Sequence, residues 1–317
     1  MSAARCPQFA KTFAALTLLA ALFATPLYAR RRKAQEKRTV SLYFDVETGD
    51  KLVTGLTDRN FHLYEDGESR SFRLMEPEKT ANVLLLVEYS QASWMYFNDI
   101  AQAMEGFLQF APEGNWYALE TFAKDTTIQV DFTKLSGKIR SAFSDMGQPT
   151  WDEIDTYDAL HTALHDQLGR MKGRNVLIFI GSGFDTFSEH TLEDVQKDVE
   201  SSNVIIYALG AGSLLRGQYN EYLSTSDTMD LLQTEAFLKM LASKSGGQAW
   251  FPRFAQAFPD DMQAVMHMLN HQYKMEYEST VPADGKFHKI KVEAFRLVGD
   301  ERTDFHVRIR EGWRREY

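Results

Sequence analysis

The spacing of apolar and polar positions changes several times along the chain. Between 39 and 64, apolar and polar residues alternate, which is typical of strands that bury one face. Continuous apolar runs follow at 83–87, 176–180 and 204–209, as expected of strands that are buried on both faces. Alternation returns at 273–277. The sequence therefore predicts β-strands at both ends and a different architecture between them.

The segments between the continuous apolar runs have a helical period. Ile100, Met104 and Phe107 share one helical face, and Leu160 and Leu164 share another. Strands that alternate with helices form parallel pairs through right-handed crossovers. The predicted fold class over 79–271 is therefore α/β, with a doubly wound, mostly parallel sheet. Two alternating segments, 116–122 and 127–132, predict a hairpin at an edge of this sheet.

The strands predicted at the two ends have too little surface to fold separately. We expect 39–78 and 272–317 to pair into one small β-domain. The α/β domain, 79–271, would then be inserted into it.

The first residues have the composition of a secretion signal. A short apolar run, 13–23, ends before Pro26, and Ala29 stands at a plausible cleavage position. Residues 1–29 are thus predicted to be a signal peptide, and 30–38 a charged, basic leader. The expected location is extracytoplasmic, either periplasmic or secreted. An uncleaved signal would instead tether the protein to the cell envelope.

Cysteine content and charge limit the chemistry of the chain. Cys6 is the only cysteine, so the chain cannot form an internal disulfide. The formal net charge of −9 disfavours a nucleic-acid partner. We expect no cofactor.

Several segments, in this order, resemble a known family. The chain is similar to the von Willebrand factor A-related family described from acidobacterial genomes, whose members have a signal peptide, a β-region, an A-type domain and a β-tail. The segments that carry the resemblance are TGLTDRNFHLYEDG (54–67), VLLLVEYSQAS (83–93), TYDAL (156–160), NVLIFIGSGFDT (175–186), VIIYALGAG (204–212), SGGQAWFP (245–252), QYKMEYES (272–279) and DGKFHKIKV (284–292).

The resemblance implies a divalent cation held by an Asp-x-Ser-x-Ser loop, a threonine and a further aspartate. Here Glu88 replaces the first aspartate, Ser90 is kept, Ala92 replaces the second serine, and Ser182 occupies the place of the last aspartate. Because oxygen ligands are lost, we expect no high-affinity metal site. If a cation were retained, its ligands would be Glu88, Ser90, Thr156 and Ser182.

A structural interpretation of the same residues is favoured. Ser90 and Ser182 would bond to the backbone of their loops. Asp155 would cap the helix that begins near Thr156, with Asp158 completing a pair like a capping box. Glu88 would need a partner, because it ends a buried strand.

Catalytic motifs are missing from the sequence. The GSG segment at 181–183 fits neither the Gly-x-Ser-x-Gly pattern nor a P-loop. The pairs His161 with His165, and His267 with His271, have helical spacing but lack the glutamate of a metalloprotease motif. We therefore interpret the histidines as surface residues and predict that the protein is not an enzyme.

The sequence as a whole favours a secreted or envelope-associated protein-interaction module. It would be non-catalytic and would bind a protein through loops at the carboxyl edge of the parallel sheet. The alternative is a metal-dependent adhesin or an enzyme, with a cation held by Glu88, Ser90 and their neighbours. The candidate binding residues are Glu88, Ser90, Trp94, Tyr96, Ser182, Phe184, Asp185, Arg216, Tyr219 and Tyr222.

Overall fold

The computed structural model describes residues 37–49, 51–212 and 224–315. The predicted signal, most of the basic leader, and Arg216, Tyr219 and Tyr222 lie outside these residues. The strands are β1 (Arg38–Thr48), β2 (Lys51–Leu52), β3 (Phe61–Glu65), β4 (Glu68–Arg70), β5 (Phe72–Met75), β6 (Ala81–Glu88), β7 (Trp116–Phe122), β8 (Thr126–Thr133), β9 (Arg174–Gly181), β10 (Val204–Gly210), β11 (Ala249–Trp250), β12 (Tyr273–Ser279), β13 (Phe287–Val298), β14 (Glu301–Ile309) and β15 (Gly312–Arg314). The α-helices are α1 (Phe97–Phe110), α2 (Ser136–Ser144), α3 (Thr156–Thr162), α4 (Leu192–Ser201), α5 (Thr225–Ser245) and α6 (Phe258–His271).

Strands from both ends of the described chain form one antiparallel sheet. Its order is β4-β3-β13-β14-β1-β12-β5, with β15 paired to β13 and β2 paired to β1. In the register, Val40 lies opposite Tyr277 and Leu63 opposite Val292. The alternating apolar positions meet on one face, because successive side chains of a strand point to opposite faces. They build a core that includes Leu42, Phe44, Leu63, Met275 and Trp313.

The middle of the chain forms a second sheet, in the order β11-β10-β9-β6-β7-β8. All of its pairs are parallel except β7 with β8. The α/β fold class predicted from the sequence is therefore confirmed, and so is the edge hairpin. Every residue of β6, β9 and β10 is buried, as the continuous apolar runs predict.

Helices cover both faces of this second sheet. Alternate residues of β6 enter different cores, with Leu85 packing on the side of α1 and α6, and Leu84 on the side of α3, α4 and α5. Helices α1 and α6 approach closely at Gly106. A Cβ atom at that position would lie 2.6 Å from the Cα atom of Pro259, so a larger residue would push the helices apart.

Arg310 connects the C-terminal strands to the end of α4. Its guanidinium donates hydrogen bonds to the carbonyl oxygens of Ser202 and Glu200, at 2.8 and 2.9 Å. The last carbonyls of a helix have no partner inside the helix, so a cation suits this position. Burial lowers the pKa of Arg310 to about 10. Among the described residues, no helix is long and apolar enough to cross a membrane.

Candidate functional site

The loops that follow β6 and β9 meet at the carboxyl edge of the parallel sheet. The two strands are neighbours, with Val87 opposite Ile180. From β6 the chain crosses to β7 on one side, and it later returns to β9 on the other side. Such a reversal in strand order leaves a crevice between the loops, where ligands bind in open α/β sheets. The last residue of β6, Glu88, lies at this point.

Glu88 is fully buried, and hydroxyl and amide donors surround its carboxylate. Its Oε2 atom accepts hydrogen bonds from the backbone nitrogen and the hydroxyl of Ser182, at 2.7 and 2.6 Å. Its Oε1 atom accepts one from the hydroxyl of Tyr96 and a longer one, at 3.4 Å, from that of Ser90. Burial raises the pKa of Glu88 above its usual range, while these hydrogen bonds act in the opposite direction.

Gly181 leaves room for this carboxylate. A Cβ atom at position 181 would lie 2.8 Å from both the Cβ and the Oε2 atoms of Glu88. Any other residue there would displace Glu88 from its place beside Ser182. The glycine before Ser182 therefore allows a close approach of two strand ends.

The other ligand positions implied by the family resemblance also bond within the protein. The hydroxyl of Ser90 accepts a hydrogen bond from the backbone nitrogen of Ser93 at 3.0 Å. The hydroxyl of Ser182 accepts one from the nitrogen of Phe184 at 3.2 Å, and Thr156 donates its hydroxyl to the carbonyl of Phe184. Four donors already approach the single carboxylate of this set. This set of residues, with its carboxylate already hydrogen-bonded, does not fit Mg²⁺, which requires near-octahedral oxygen ligands.

Two aspartates connect the remaining loops of this edge. Asp155 accepts hydrogen bonds from the nitrogen of Phe187 at 3.2 Å and the hydroxyl of Thr186 at 3.4 Å. Asp185 accepts one from the nitrogen of Tyr157 at 3.0 Å, so it caps α3 from another loop. Asp155 occupies the N-cap position of the helix, as predicted. The predicted cap hydrogen bond is wrong, because its side chain bonds to the loop opposite and not to its own helix.

Asp158 also bonds away from its own helix. Its carboxylate accepts hydrogen bonds from the backbone nitrogens of Glu189 and His190, both at 2.9 Å. Burial would raise the pKa of Asp158, but these bonds outweigh burial and lower it. The expected pairing of Asp158 with Asp155 in a capping box is therefore also wrong.

Large apolar side chains are exposed on the loops around this hydrogen-bonded centre. The exposed fractions are 55% for Trp94, 72% for Met95, 45% for Trp151 and 77% for Phe187. We call these four residues the edge apolar surface. Their loops adjoin, because the nitrogen of Gln91 donates to the carbonyl of Trp151 at 2.8 Å, and Asp155 binds the nitrogen of Phe187. Trp94 also stacks on Phe97, with ring centroids 5.0 Å apart.

The structure separates the predicted binding residues into two layers. Trp94 is exposed, and Phe184 and Asp185 are half-buried. The buried residues of the set are Glu88, Ser90, Tyr96 and Ser182. The buried residues hold the loops of this edge together through hydrogen bonds.

Sequence reasoning missed several residues of this edge. Trp151 and Phe187 lie in loops, and a large apolar side chain among polar residues was the available signal for these two. Met95 lies in a short 3-10 helix, Ala92–Tyr96, and its sequence gave no such signal. Asp99 is also buried, and it accepts a hydrogen bond from the nitrogen of Gly212 at 3.1 Å. It thus fixes the chain just after β10, and burial raises its pKa. Its helical position gave no indication of this role.

No family model matches the chain, and no curated protein matches it. Among solved structures, the chain is similar to an aerotolerance-related membrane protein from Bacteroides fragilis, with 16% identity and a TM-score of 0.41 over 59% of this chain and 98% of the other. It is similar to the conserved hypothetical protein BatB from Bacteroides thetaiotaomicron, with 13% identity and a TM-score of 0.42 over 60% and 99% of the two chains.

A third similarity is to proximal thread matrix protein 1 from the mussel byssus, with 14% identity and a TM-score of 0.46 over 66% of this chain. The match spans 50% of the mussel protein's length. Another structure of that protein has a zinc-occupied MIDAS motif. At these scores, none of the similarities supports an inference about the function of this chain.

Proposed function

We propose that this protein is a non-catalytic, extracytoplasmic interaction module that binds a protein partner through the edge apolar surface. The family resemblance and the sequence of 1–29 favour an A-type domain that is exported. In this proposal the α/β part is inserted into a β-domain that the terminal strands form together. The parallel sheet supplies a rigid base, and its carboxyl-edge loops carry the contacts.

The hydrogen-bonded state of Glu88 is the observation that carries the proposal. In the A-type arrangement that the sequence resembles, a cation lies at this edge and remains open to a partner. Here Ser182, Tyr96 and Ser90 saturate the buried carboxylate from within the protein. Binding at this edge would therefore depend on the loop surface and be independent of a divalent cation.

The composition of the edge apolar surface supports a protein partner. Trp94, Met95, Trp151 and Phe187 lie on three adjoining loops, and each is about half exposed or more. Aromatic side chains supply large contact areas, and they are enriched among the residues that dominate binding energy. Grouped exposed apolar residues on a folded protein mark interaction sites more often than isolated ones do.

The test compares partner capture by three forms of the protein. These are the natural chain, a variant with Trp94→Ala and Phe187→Ala, and a control with Leu297→Ser and Val298→Ser. The control residues are also exposed, at 58% and 70%, but they lie on β13 in the antiparallel sheet. Each form is immobilised, incubated with the envelope fraction of its own organism, and analysed by quantitative mass spectrometry with and without EDTA.

We expect a partner that the natural chain and the control capture equally, in EDTA as in its absence. The edge variant should bind that partner about 10- to 1000-fold more weakly while its melting temperature is unchanged. Equal capture by the edge variant would move the binding site elsewhere. Loss of capture in EDTA would favour the metal-dependent adhesin.

A further inference from the structure

A cluster of histidines lies on the outer side of α3 and α4, apart from the Glu88 site. His161 belongs to α3, and His165 follows in a π-helical segment, Ala163–Gln167, that continues this helix. Asp198, from α4, lies between them. Its Oδ2 atom is 2.8 Å from Nδ1 of His161, and its Oδ1 atom is 2.7 Å from Nε2 of His165.

The three ligand atoms converge and are accessible. They lie within 4.8 Å of one another, and within the described ranges this is the one group of three such side chains that comes so close. The exposed fractions of the side chains are 33% for His161, 49% for His165 and 12% for Asp198. A metal ion can therefore reach the cluster from solvent.

The scaffold beneath the cluster is rigid. Leu160 of α3 and Leu164 of the π-helical segment pack with Val195 and Val199 of α4 in the buried core. Sites built on packed helices hold their ligands more precisely than sites on loops. The π-helical segment adds to this argument, since single π-turns inside helices occur frequently at functional sites.

A second layer of residues surrounds these ligands. The ring of His190 stacks on His161, with centroids 3.8 Å apart, and its Nδ1 atom lies 2.7 Å from Oδ1 of Asp158. This contact limits rotation of the His161 ring. Hydrogen-bonded residues around metal ligands contribute to affinity by orienting them.

We propose that His161, His165 and Asp198 bind a divalent transition metal, with Zn²⁺ as the ligand that suits them best. Zn²⁺ is commonly bound by imidazole nitrogens together with a carboxylate oxygen, and a water molecule would complete a tetrahedral set of four ligands. On binding, the proton that each ring directs at Asp198 would move to the other nitrogen of that ring or, from a protonated ring, to solvent, and the freed nitrogen would bind the metal. The proposal differs from the sequence expectation of no cofactor, and it does not depend on the proposed interaction function.

The sequence contains an internal control for this proposal. His267 and His271 on α6 have the same spacing, and their ring centroids are 4.1 Å apart. The Nδ1 atom of His271 bonds to the carbonyl of His267, and no aspartate or glutamate completes a ligand group with them among the described residues. The two histidine pairs therefore have the same spacing, but only His161 with His165 has a carboxylate beside it.

The experiment measures Zn²⁺ binding by titration calorimetry and Co²⁺ binding by visible absorption, on protein without a polyhistidine tag. We expect one equivalent of Zn²⁺ to bind the natural chain and a Co²⁺ spectrum of tetrahedral type. The double variant His161→Ala with His165→Ala, and the single variant Asp198→Asn, should each weaken binding by about 100-fold or more. Binding should also weaken as the pH falls, because protons compete with the metal for its ligand atoms.

Two controls give the outcomes that overturn the proposal. The variant His267→Ala with His271→Ala, and the variant Glu88→Gln, should bind Zn²⁺ like the natural chain. Loss of binding in either would assign the metal to another position. Unchanged binding after Asp198→Asn, in a variant whose circular dichroism matches the natural chain, would also refute the site.

Discussion

Glu88 and Asp198 are both carboxylates that accept hydrogen bonds from a neighbouring element, but their donors differ in kind. Glu88 is buried, and its donors are the hydroxyls of Ser90, Tyr96 and Ser182 and one backbone nitrogen. Asp198 lies near the surface between two histidine rings. Hydroxyl and amide donors have no alternative position for their protons, whereas a neutral imidazole can carry its proton on either ring nitrogen and bind a metal with the other.

This difference determines what each carboxylate can do. The donors around Glu88 would become unsatisfied if its oxygens turned toward a cation, and unsatisfied buried donors are costly. A metal ion bound between the two imidazoles and Asp198 would leave each of these side chains with a bonded partner. In our proposals, Glu88 therefore has a structural role, and the cluster of His161, His165 and Asp198 binds the metal.

The largest expected effect is on stability, from truncating each carboxylate in turn. Glu88→Ala should lower the free energy of unfolding by about 2–4 kcal/mol, because it opens a cavity and leaves Ser182 and Tyr96 without their acceptor. Asp198→Ala should cost about 1 kcal/mol or less, because water reaches both of its partners, His165 more than His161. Urea denaturation at pH 7 measures both. Equal losses of unfolding free energy in the two variants would contradict the proposed difference between the Glu88 and Asp198 sites.

A smaller effect is expected in the pH dependence of Glu88→Gln relative to the natural chain. Burial raises the folded pKa of Glu88 above the ordinary glutamate value of 4.5. The folded state then holds a proton that the unfolded state has lost. The stability of the natural chain should therefore fall relative to the variant as the pH rises from about 4.5 through the folded pKa.

Glutamine is suited to this comparison. Its amide oxygen can accept from Ser182, while its NH₂ group faces the hydroxyls of Tyr96 and Ser90, which can also accept. Burial also raises the pKa of Asp45 and Glu120 to about 7, but they titrate in both proteins and cancel in the difference. Denaturation between pH 4 and 9 gives the curve. A natural chain that gains stability with pH relative to the variant would show that the hydrogen bonds to Glu88, or a cation beside it, outweigh burial.

Much of the fold could be predicted from the spacing of apolar residues. The runs at 83–87, 176–180 and 204–209 identified the buried parallel strands, because only strands covered on both faces lack alternation. The order of strands in the antiparallel sheet could not be predicted. It depends on pairings such as β1 with β12, which join residues more than 200 positions apart.

The site was less predictable, because its contacts cross between loops. The sequence indicated that Glu88 needs a partner, but Tyr96 and Ser182 could not be predicted as its partners. Asp198 is one of several acidic residues on an amphipathic helix, and only the packing of α3 on α4 brings it to His161 and His165. The same packing explains why the two histidine pairs, identical in spacing, have different surroundings.

The decisive measurement is unfolding of the natural chain, first stripped of bound metal and then denatured in millimolar Mg²⁺ or in EDTA. Mg²⁺ distinguishes the Glu88 site from the histidine cluster, because it prefers oxygen ligands and binds weakly to imidazole. A cation bound at 100 times its Kd would add about 2.7 kcal/mol to the free energy of unfolding. We predict that the two denaturation curves coincide. A curve shifted upward in Mg²⁺, with the shift abolished by Glu88→Gln, would contradict the account.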